Sequence, residues 1–460
     1  MKYLLAAWLL AAFLTCSAFA QPPGNNDPLA GFAALFNAPA TSAPQISAMA
    51  FSLDQAEQMA LAENPEIRVA ERRVAVVQAH LPAAGALDDP TAMFSGWSVP
   101  LAQPWNYNDA QNMFTISQTF PGIGKRALRN SVAQTNVDLA KAQLDQVRLT
   151  VRVQVQKAFD DLLLAEEELR IHDEHMRIAR QSIEAARIRY AAGKVSQQDI
   201  LKAEVALTEL SEHMIRFDRD AETAQARLNT LLGRDPETPL AVRGQYAVLA
   251  ALPSAEMLEQ LALTSRPDLM AAQEAAESSH QEQLLAKRTY APDFAVTAGY
   301  MLMPQGYNMR NDYLVEGSIN LPWLNHRKHD AEIAEATAQM TEQDAELADL
   351  RNAARGQIVE ALAEARAEQQ FASLYHDRLL PQAEATLQFS VIAYENDKTD
   401  FLDLLDSQMT VINADLAWVQ AVEAFDARLA DLEMATGATI DQLQQFMPNQ
   451  PQQITPEMKP

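Results

Sequence analysis

The chain repeats itself once, at a nearly constant distance. Ala60-Leu61-Ala62-Glu63-Asn64-Pro65-Glu66-Ile67 returns 202 residues later as Ala262-Leu263-Thr264-Ser265-Arg266-Pro267-Asp268-Leu269. Phe120-Pro121 returns as Leu321-Pro322, and basic residues follow both times (Lys125-Arg126; Arg327-Lys328). Leu228 to Gly233 returns as Leu432 to Gly437, and the spacing stays between 201 and 204 throughout. A fixed internal period means that one supersecondary unit is used twice. The expected units are residues 52–250 and 251–438.

Each unit has the same internal order. A helix (about 52–80; 254–288) precedes two short alternating segments, then a very long helix (125–191; 326–394), a tight turn and a last helix (196–232; 400–436). Only 14 of 460 residues are Gly while 48% are apolar, so tight turns are few and long helices are expected. In the first long helix Val137, Ala140, Leu144, Val147, Val151, Val155, Ala158, Leu162, Ala165 and Leu169 recur mostly at steps of 3 and 4, a coiled-coil seam. Val147-Val151-Val155 takes two steps of 4, a stutter that relaxes the supercoil, and Leu350-Ala354-Ile358 repeats it. At ~1.5 Å per residue such a helix is roughly 100 Å long. That length suits a chain that spans a gap.

Both ends read differently. Residues 1–20 have the form of a signal peptide: Lys2, an apolar stretch from Leu4 to Leu14, and Ala18-Phe19-Ala20 before Gln21. The only cysteine, Cys16, lies within this leader. Lipidation of Cys16 is the alternative, disfavoured by Thr15 before it. Without a disulfide, stability must come from packing or association. Residues 21–51 are expected to be a flexible lead-in, and the Pro/Gln-rich residues 439–460 a disordered tail. The net charge of −25, from 36 basic and 61 acidic residues, excludes a nucleic-acid binder, which needs a basic footprint.

The alternating segments carry one apolar and one polar face. Phe114, Ile116 and Phe120 oppose hydroxyl side chains; Phe294, Val296, Ala298, Tyr300 and Leu302 share a face, as do Tyr313, Val315, Gly317, Ile319 and Leu321. The segment Ala92 to Val99 is the least regular. Such segments suit transmembrane barrel strands or a half-buried hairpin, and periodicity alone does not separate the two. If they enter lipid, four strands leave two open edges, which several chains must seal: two give eight strands, three give twelve. The loops at 100–110 and 303–311 would then lie at the outer surface.

The most specific motif is the turn between the long and last helices. It reads Tyr190-x-x-Gly193-Lys194-Val195-Ser196-x-x-Asp199-Ile200-Leu201 in the first copy and Tyr394-x-x-Asp397-Lys398-Thr399-Asp400-x-x-Asp403-Leu404-Leu405 in the second. Together with the leader and the tandem units, this arrangement resembles the TolC-type outer membrane efflux proteins over residues 52–438. The resemblance implies a mainly α fold with a small β part. Long coiled-coil helices would form a periplasmic α-barrel, and each chain would give four strands to a trimeric 12-stranded transmembrane β-barrel. It implies a homotrimer in the outer membrane, working with a periplasmic adaptor and an inner membrane pump of RND type. Tyr190, Gly193, Lys194, Ser196, Asp199, Tyr394, Asp397, Lys398 and Thr399 would then serve tip closure and adaptor contact. Asp199 and Tyr394 resemble a pair whose contact keeps the helices closed. Asp397 departs from the usual glycine, but Asp tolerates a left-handed turn better than most residues. Asp403 and Asp406 match the family's acidic constriction, with Asp400 one turn earlier. Their spacing of three puts them on neighbouring rows of one helix face. The plainer reading is a helix start whose acids complement the dipole.

Catalytic chemistry is not expected. Gly122-Ile123-Gly124-Lys125 mimics the end of a phosphate loop, but Thr119 and Arg126 occupy positions that need Gly and Ser or Thr, so a strand-to-helix turn is expected. His172/His175 and His326/His329 place histidines three apart on helices read as solvated, so no metal or cofactor is assigned. The leading function is the exit duct of a tripartite efflux system. Gln118 to Arg126, with Asp88-Asp89-Pro90, resembles the heavy-metal cation branch of the family. A drug or small-molecule duct, a type I secretion duct, and a periplasmic coiled-coil adaptor are the alternatives.

Overall fold

The computed structural model describes residues 50–439 and 442, apart from 98, 100, 106–109, 194–195, 245–251, 304–311 and 397. The signal peptide, most of the lead-in and tail, much of both strand-tip loops, and Lys194 and Asp397 lie outside the described residues. In chain order the elements are β1 (Ala50–Phe51), α1 (Leu53–Glu63), α2 (Pro65–Ala84), β2 (Thr91–Trp97), β3 (Gln111–Phe120), α3 (Lys125–Ala191), α4 (Gln197–Leu231) and β4 (Ala241–Val242). The second set is α5 (Ala255–Ser265), α6 (Pro267–Lys287), β5 (Phe294–Leu302), β6 (Asp312–Ile319), α7 (His326–Leu374), α8 (Leu380–Glu395) and α9 (Phe401–Thr436).

Three helices expected to be continuous are interrupted, and proline accounts for each break. The 52–80 and 254–288 helices stop at Asn64 and Arg266, whose extended ψ values of 128° and 113° are those forced on a residue before Pro65 and Pro267. Asn64 caps α2 by accepting from the Glu66 amide at 2.8 Å. The 326–394 helix passes through a π-turn at Tyr375–Leu379 before Pro381, which has no N–H to donate. Two residues of the lead-in expected to be flexible are ordered: Ala50 and Phe51 pair in parallel with Ala241 and Val242. In the tail, the Thr439 amide donates to Gln442 Oε1 at 3.0 Å.

The two sets bury equivalent positions. Ala56, Ala60, Val155, Ala158, Phe159, Leu162 and Leu228 share one core; Leu258, Ala262, Ile358, Ala361, Leu362, Ala365 and Leu432 share another, at offsets of 202 to 204. Asn64 Nδ2 donates to the Leu231 carbonyl at 2.9 Å, and Arg266 reaches the Ala435 carbonyl at 3.1 Å in the corresponding place. Gly233 (φ 70°) and Gly437 (φ 71°) end the last helices in left-handed turns, and a Cβ on Gly437 would lie 2.6 Å from the Ser265 carbonyl oxygen.

The strands form one antiparallel sheet in the order β2-β3-β5-β6. Phe94, Phe114, Tyr300 and Tyr313 align across it, and Ala92, Ile116, Ala298 and Val315 form the next row on that face. Phe94, Phe114, Ile116, Tyr313, Val315 and Ile319 are all exposed there. The other face carries Thr91, Ser117, Thr297 and Glu316 in one row, with Thr297 Oγ1 donating to Ser117 Oγ at 2.9 Å. Among the described residues no strand covers β2 or β6 on its outer side. Gly122-Ile123-Gly124-Lys125 turns β3 into α3. Asp293 Oδ1 accepts from the Gly122 amide (2.6 Å) and Lys125 Nζ (2.8 Å), and Gly124 takes φ 87°.

Acidic residues enter the helical packing. Asp160 of α3 is buried; burial first, and the charge of Asp426 on α9 second, push its carboxyl up to about 8. Burial, with Asp161 adding to it, raises Glu423 to about 7. An acid whose folded value lies above its unfolded value contributes its full stabilisation at low pH, and the contribution is lost as pH rises through the folded value. The unfolding temperature should therefore fall between about pH 5 and pH 8, and Asp160→Asn should flatten that fall. A slope unchanged in the variant would assign it elsewhere.

Candidate functional site

The two turns that carry the paired motif lie at one end of the helices. At the first, Ala192 donates to the Ile188 carbonyl (3.2 Å) and Gly193 to that of Tyr190 (2.8 Å), with Gly193 at φ 73°. No heavy atom lies within 4 Å of where a Gly193 Cβ would stand, so glycine is there for its conformation alone. Ser196 and Asp199 then form a reciprocal capping box: the Ser196 amide donates to Asp199 Oδ2 (2.9 Å), and the Asp199 amide to Ser196 Oγ (3.3 Å).

The second turn uses different chemistry at matching places. Asn396 donates to the Ile392 carbonyl (3.3 Å) and Lys398 to that of Ala393 (2.9 Å). Asp400 caps α9 by accepting from the Asp403 amide at 2.9 Å, while the Thr399 hydroxyl donates to the Asp403 carboxylate. Asp400, Asp403 and Asp406 are exposed at three-residue intervals along the start of α9. Capping and exposure thus coexist here, since Asp406 lies beyond the cap.

The two tyrosines of the motif differ. Tyr190 is 46% exposed, whereas Tyr394 is 8% exposed and packs with Phe401, Ile183, Ala186, Ala203 and Leu404. The Arg189 guanidinium lies 4.2 Å from the Tyr394 ring centre and donates to the Tyr394 carbonyl at 2.8 Å. This joins the end of α3 to the end of α8. Of the pair expected to act in closure, Asp199 accepts from Ser196, and the buried Tyr394 hydroxyl has no hydrogen-bond partner among the described residues. Arg189 was not singled out from the sequence, because it stands one residue before the motif and nothing in its spacing distinguishes it.

Of the histidines, His329 Nδ1 pairs with Glu332 Oε2 (3.0 Å) and His175 Nε2 with Asp415 Oδ2 (3.4 Å). His172 is not the solvated residue that its neighbours in sequence suggest. It is fully buried. The signal was present in the seam: from Ala165, steps of 3 and 4 lead through Glu168 to His172, and both are buried. Leu169, expected in the seam, is only half-buried.

The family profile described as "Outer membrane efflux protein" matches residues 56–234. The cobalt-zinc-cadmium resistance protein CzcC of Cupriavidus metallidurans is 28% identical over 299 residues, 64% of this chain and 70% of that protein. The nickel-cobalt-cadmium resistance protein NccC of Alcaligenes xylosoxydans xylosoxydans is 24% identical over 234 residues, 49% of this chain and 50% of that one. In fold, this chain is similar to the outer-membrane channel OprN, with a TM-score of 0.72 at 20% identity over 84% of this chain and 90% of that one. The long helices and the four-stranded sheet thus share the fold of such an outer-membrane channel.

In a channel of this fold the Arg189–Tyr394 contact would be a measurable quantity. A cation–π contact of this kind contributes about 1 kcal/mol, or about fivefold in an equilibrium between closed and open tips. Arg189→Ala should raise resting conductance in planar lipid films by that order. Conductance equal to wild type would show that the contact does not hold the tips.

Proposed function

We propose that three copies of this chain form the exit duct of a tripartite efflux assembly that exports heavy-metal cations. A periplasmic adaptor would dock on the helix-hairpin tips, and an inner membrane pump of RND type would supply the energy. The observation that carries the duct is the sheet. It has rows of apolar side chains exposed on one face and a row of hydroxyls with Glu316 on the other, where Met93 and Trp97 are also exposed, and among the described residues its edges at β2 and β6 are open. In hydrocarbon those edges need partners, and strands from further copies supply them. Three copies give twelve strands.

The cargo reading rests on two supports. The relatives named for cobalt, zinc, cadmium and nickel resistance are one. The exposed series Asp400, Asp403 and Asp406 is the other. Around a threefold axis it would form stacked carboxylate rings, which favour cations and repel anions. In this arrangement Tyr190, Gly193, Lys194, Ser196, Asp397, Lys398 and Thr399 form the adaptor-facing surface, while Asp199 and Tyr394 act in closure.

The double variant Asp403→Asn/Asp406→Asn keeps the side-chain volumes and removes the charge. Its cation-over-anion permeability ratio in planar lipid films should fall towards one, and cells carrying it should lose resistance to zinc, cobalt and cadmium salts. An unaltered ratio would remove these residues from the gate. Unaltered metal resistance in a strain lacking the whole chain would overturn the cargo.

A further inference from the structure

His172 is a buried polar group that the proposed duct does not use. It is 0% exposed on α3, and neither Nδ1 nor Nε2 has a hydrogen-bond partner among the described residues. A neutral imidazole carries one N–H and one lone pair, so a dry site with a partner for neither is unfavourable unless something else occupies it. The ring lies beside that of His213 of α4, with ring centres 5.3 Å apart and planes tilted by 38°, and meets Phe217 edge to face at 4.9 Å. His213 is only half-buried, which leaves a way in from its side. Burial holds His172 down at about 4, so the ring is uncharged at neutral pH, the form that binds metals.

The distance between the two ring centres is that of two imidazoles sharing a cation through their nitrogens. A nitrogen-to-zinc bond is about 2.0–2.1 Å, and the ring centre lies about 1.1 Å behind the nitrogen, so two imidazoles on a tetrahedral centre have ring centres about 5.2 Å apart. We propose that His172 and His213 form a binding site for a divalent transition-metal cation of the zinc or cobalt class, bridging α3 and α4. Among the described residues no three His, Cys, Asp or Glu side chains gather into a metal cage. The pair supplies two ligands and water supplies the rest. Such a site is exchangeable, which suits a protein through which the cation must pass; in that respect the inference rests on the cargo reading above. His172 lies 21 residues before Gly193, about 30 Å along the helix from the tip. A bound cation there ties together the two helices that lead to the turn.

The test uses the full-length protein in detergent, stripped with a chelator and titrated with ZnCl2 by calorimetry, then with CoCl2 while the visible absorption of tetrahedral cobalt is followed. One cation per chain is expected, with a rise in unfolding temperature on loading. His213→Ala, at the half-exposed rim, should fold normally and weaken binding by more than the ~10- to 100-fold typical of losing an outer-shell partner. His172→Phe should abolish the cobalt spectrum while preserving ring volume. The pair His326→Ala/His329→Ala serves as control and should bind as wild type does. The absence of zinc binding in the wild type, or binding and spectrum unchanged in His213→Ala, overturns the site. Metal resistance in cells separates the two proposals. Intact resistance without a titratable site overturns the site alone, and a titratable site in a chain whose loss leaves resistance intact overturns the cargo alone.

Discussion

The backbone of the two edge strands is the constraint on which the rest depends. Among the described residues, β3 and β5 satisfy their amides and carbonyls on both sides, while β2 and β6 do so on one. Water would solvate the free side, but hydrocarbon cannot, and an unpaired backbone group there costs several kcal/mol. The face that would meet lipid is also the face on which Phe94, Phe114, Tyr300 and Tyr313 align. In lipid, edge and face would call for the same remedy: more strands of the same kind, arranged so that the sheet closes. The internal repeat serves this geometry, because two hairpins per chain enter one sheet and each is followed by a helix leaving in the same sense.

How the sheet hands over to the helices matters as much. The Asp293 carboxylate holds the turn out of β3 through the Gly122 amide and Lys125 Nζ. A side chain on Gly122 would stand 2.8 Å from the Ala291 and Pro292 carbonyl oxygens. The start of α3 is thus fixed by the residue that precedes β5, across the repeat boundary. What resembles a phosphate loop in sequence is a splice between the two hairpins and the longest helix, and its glycines answer to close approach and a positive φ rather than to an anion.

Much of this was legible in the sequence. The order of elements, the four strands and their faces, and the ends of α3, α4 and α9 follow from periodicity and the repeat. The breaks at Asn64 and Arg266 were also written there, as residues before proline, but the apolar period runs across them and hides the stop. The π-turn at Tyr375–Leu379 has no periodic signature, since it adds one residue to a turn without altering which residues are apolar. Pairing of Ala50–Phe51 with Ala241–Val242 was invisible because two residues carry no alternation. At the tips, the acidic start of α9 was readable from Asp400, Asp403 and Asp406, whereas the capping box of Ser196 and Asp199 was not singled out. The burial of Tyr394 against Arg189 was not readable, for it depends on how one hairpin packs on the other.

The least legible feature is the polar content of the seam. Gln156, Asp160, Glu168 and His172 are buried along α3, and a reader of apolar periodicity skips all four. Their neighbours show what such residues contribute. Gln420 of α9 donates to Glu168 at 2.7 Å, Arg152 pairs with the buried Glu433, and Lys157 pairs with Asp431. Two long helices with apolar seams of the same period can slide past one another by a heptad at little apolar cost. A slide here would leave Glu433, almost wholly buried, without its cation, and breaking a buried pair costs more than the intact pair ever contributes. The charged and polar residues therefore set which turn of α3 meets which turn of α9. Since α9 carries Asp403 and Asp406 at its start, that register also sets how far the carboxylates stand from the first tip.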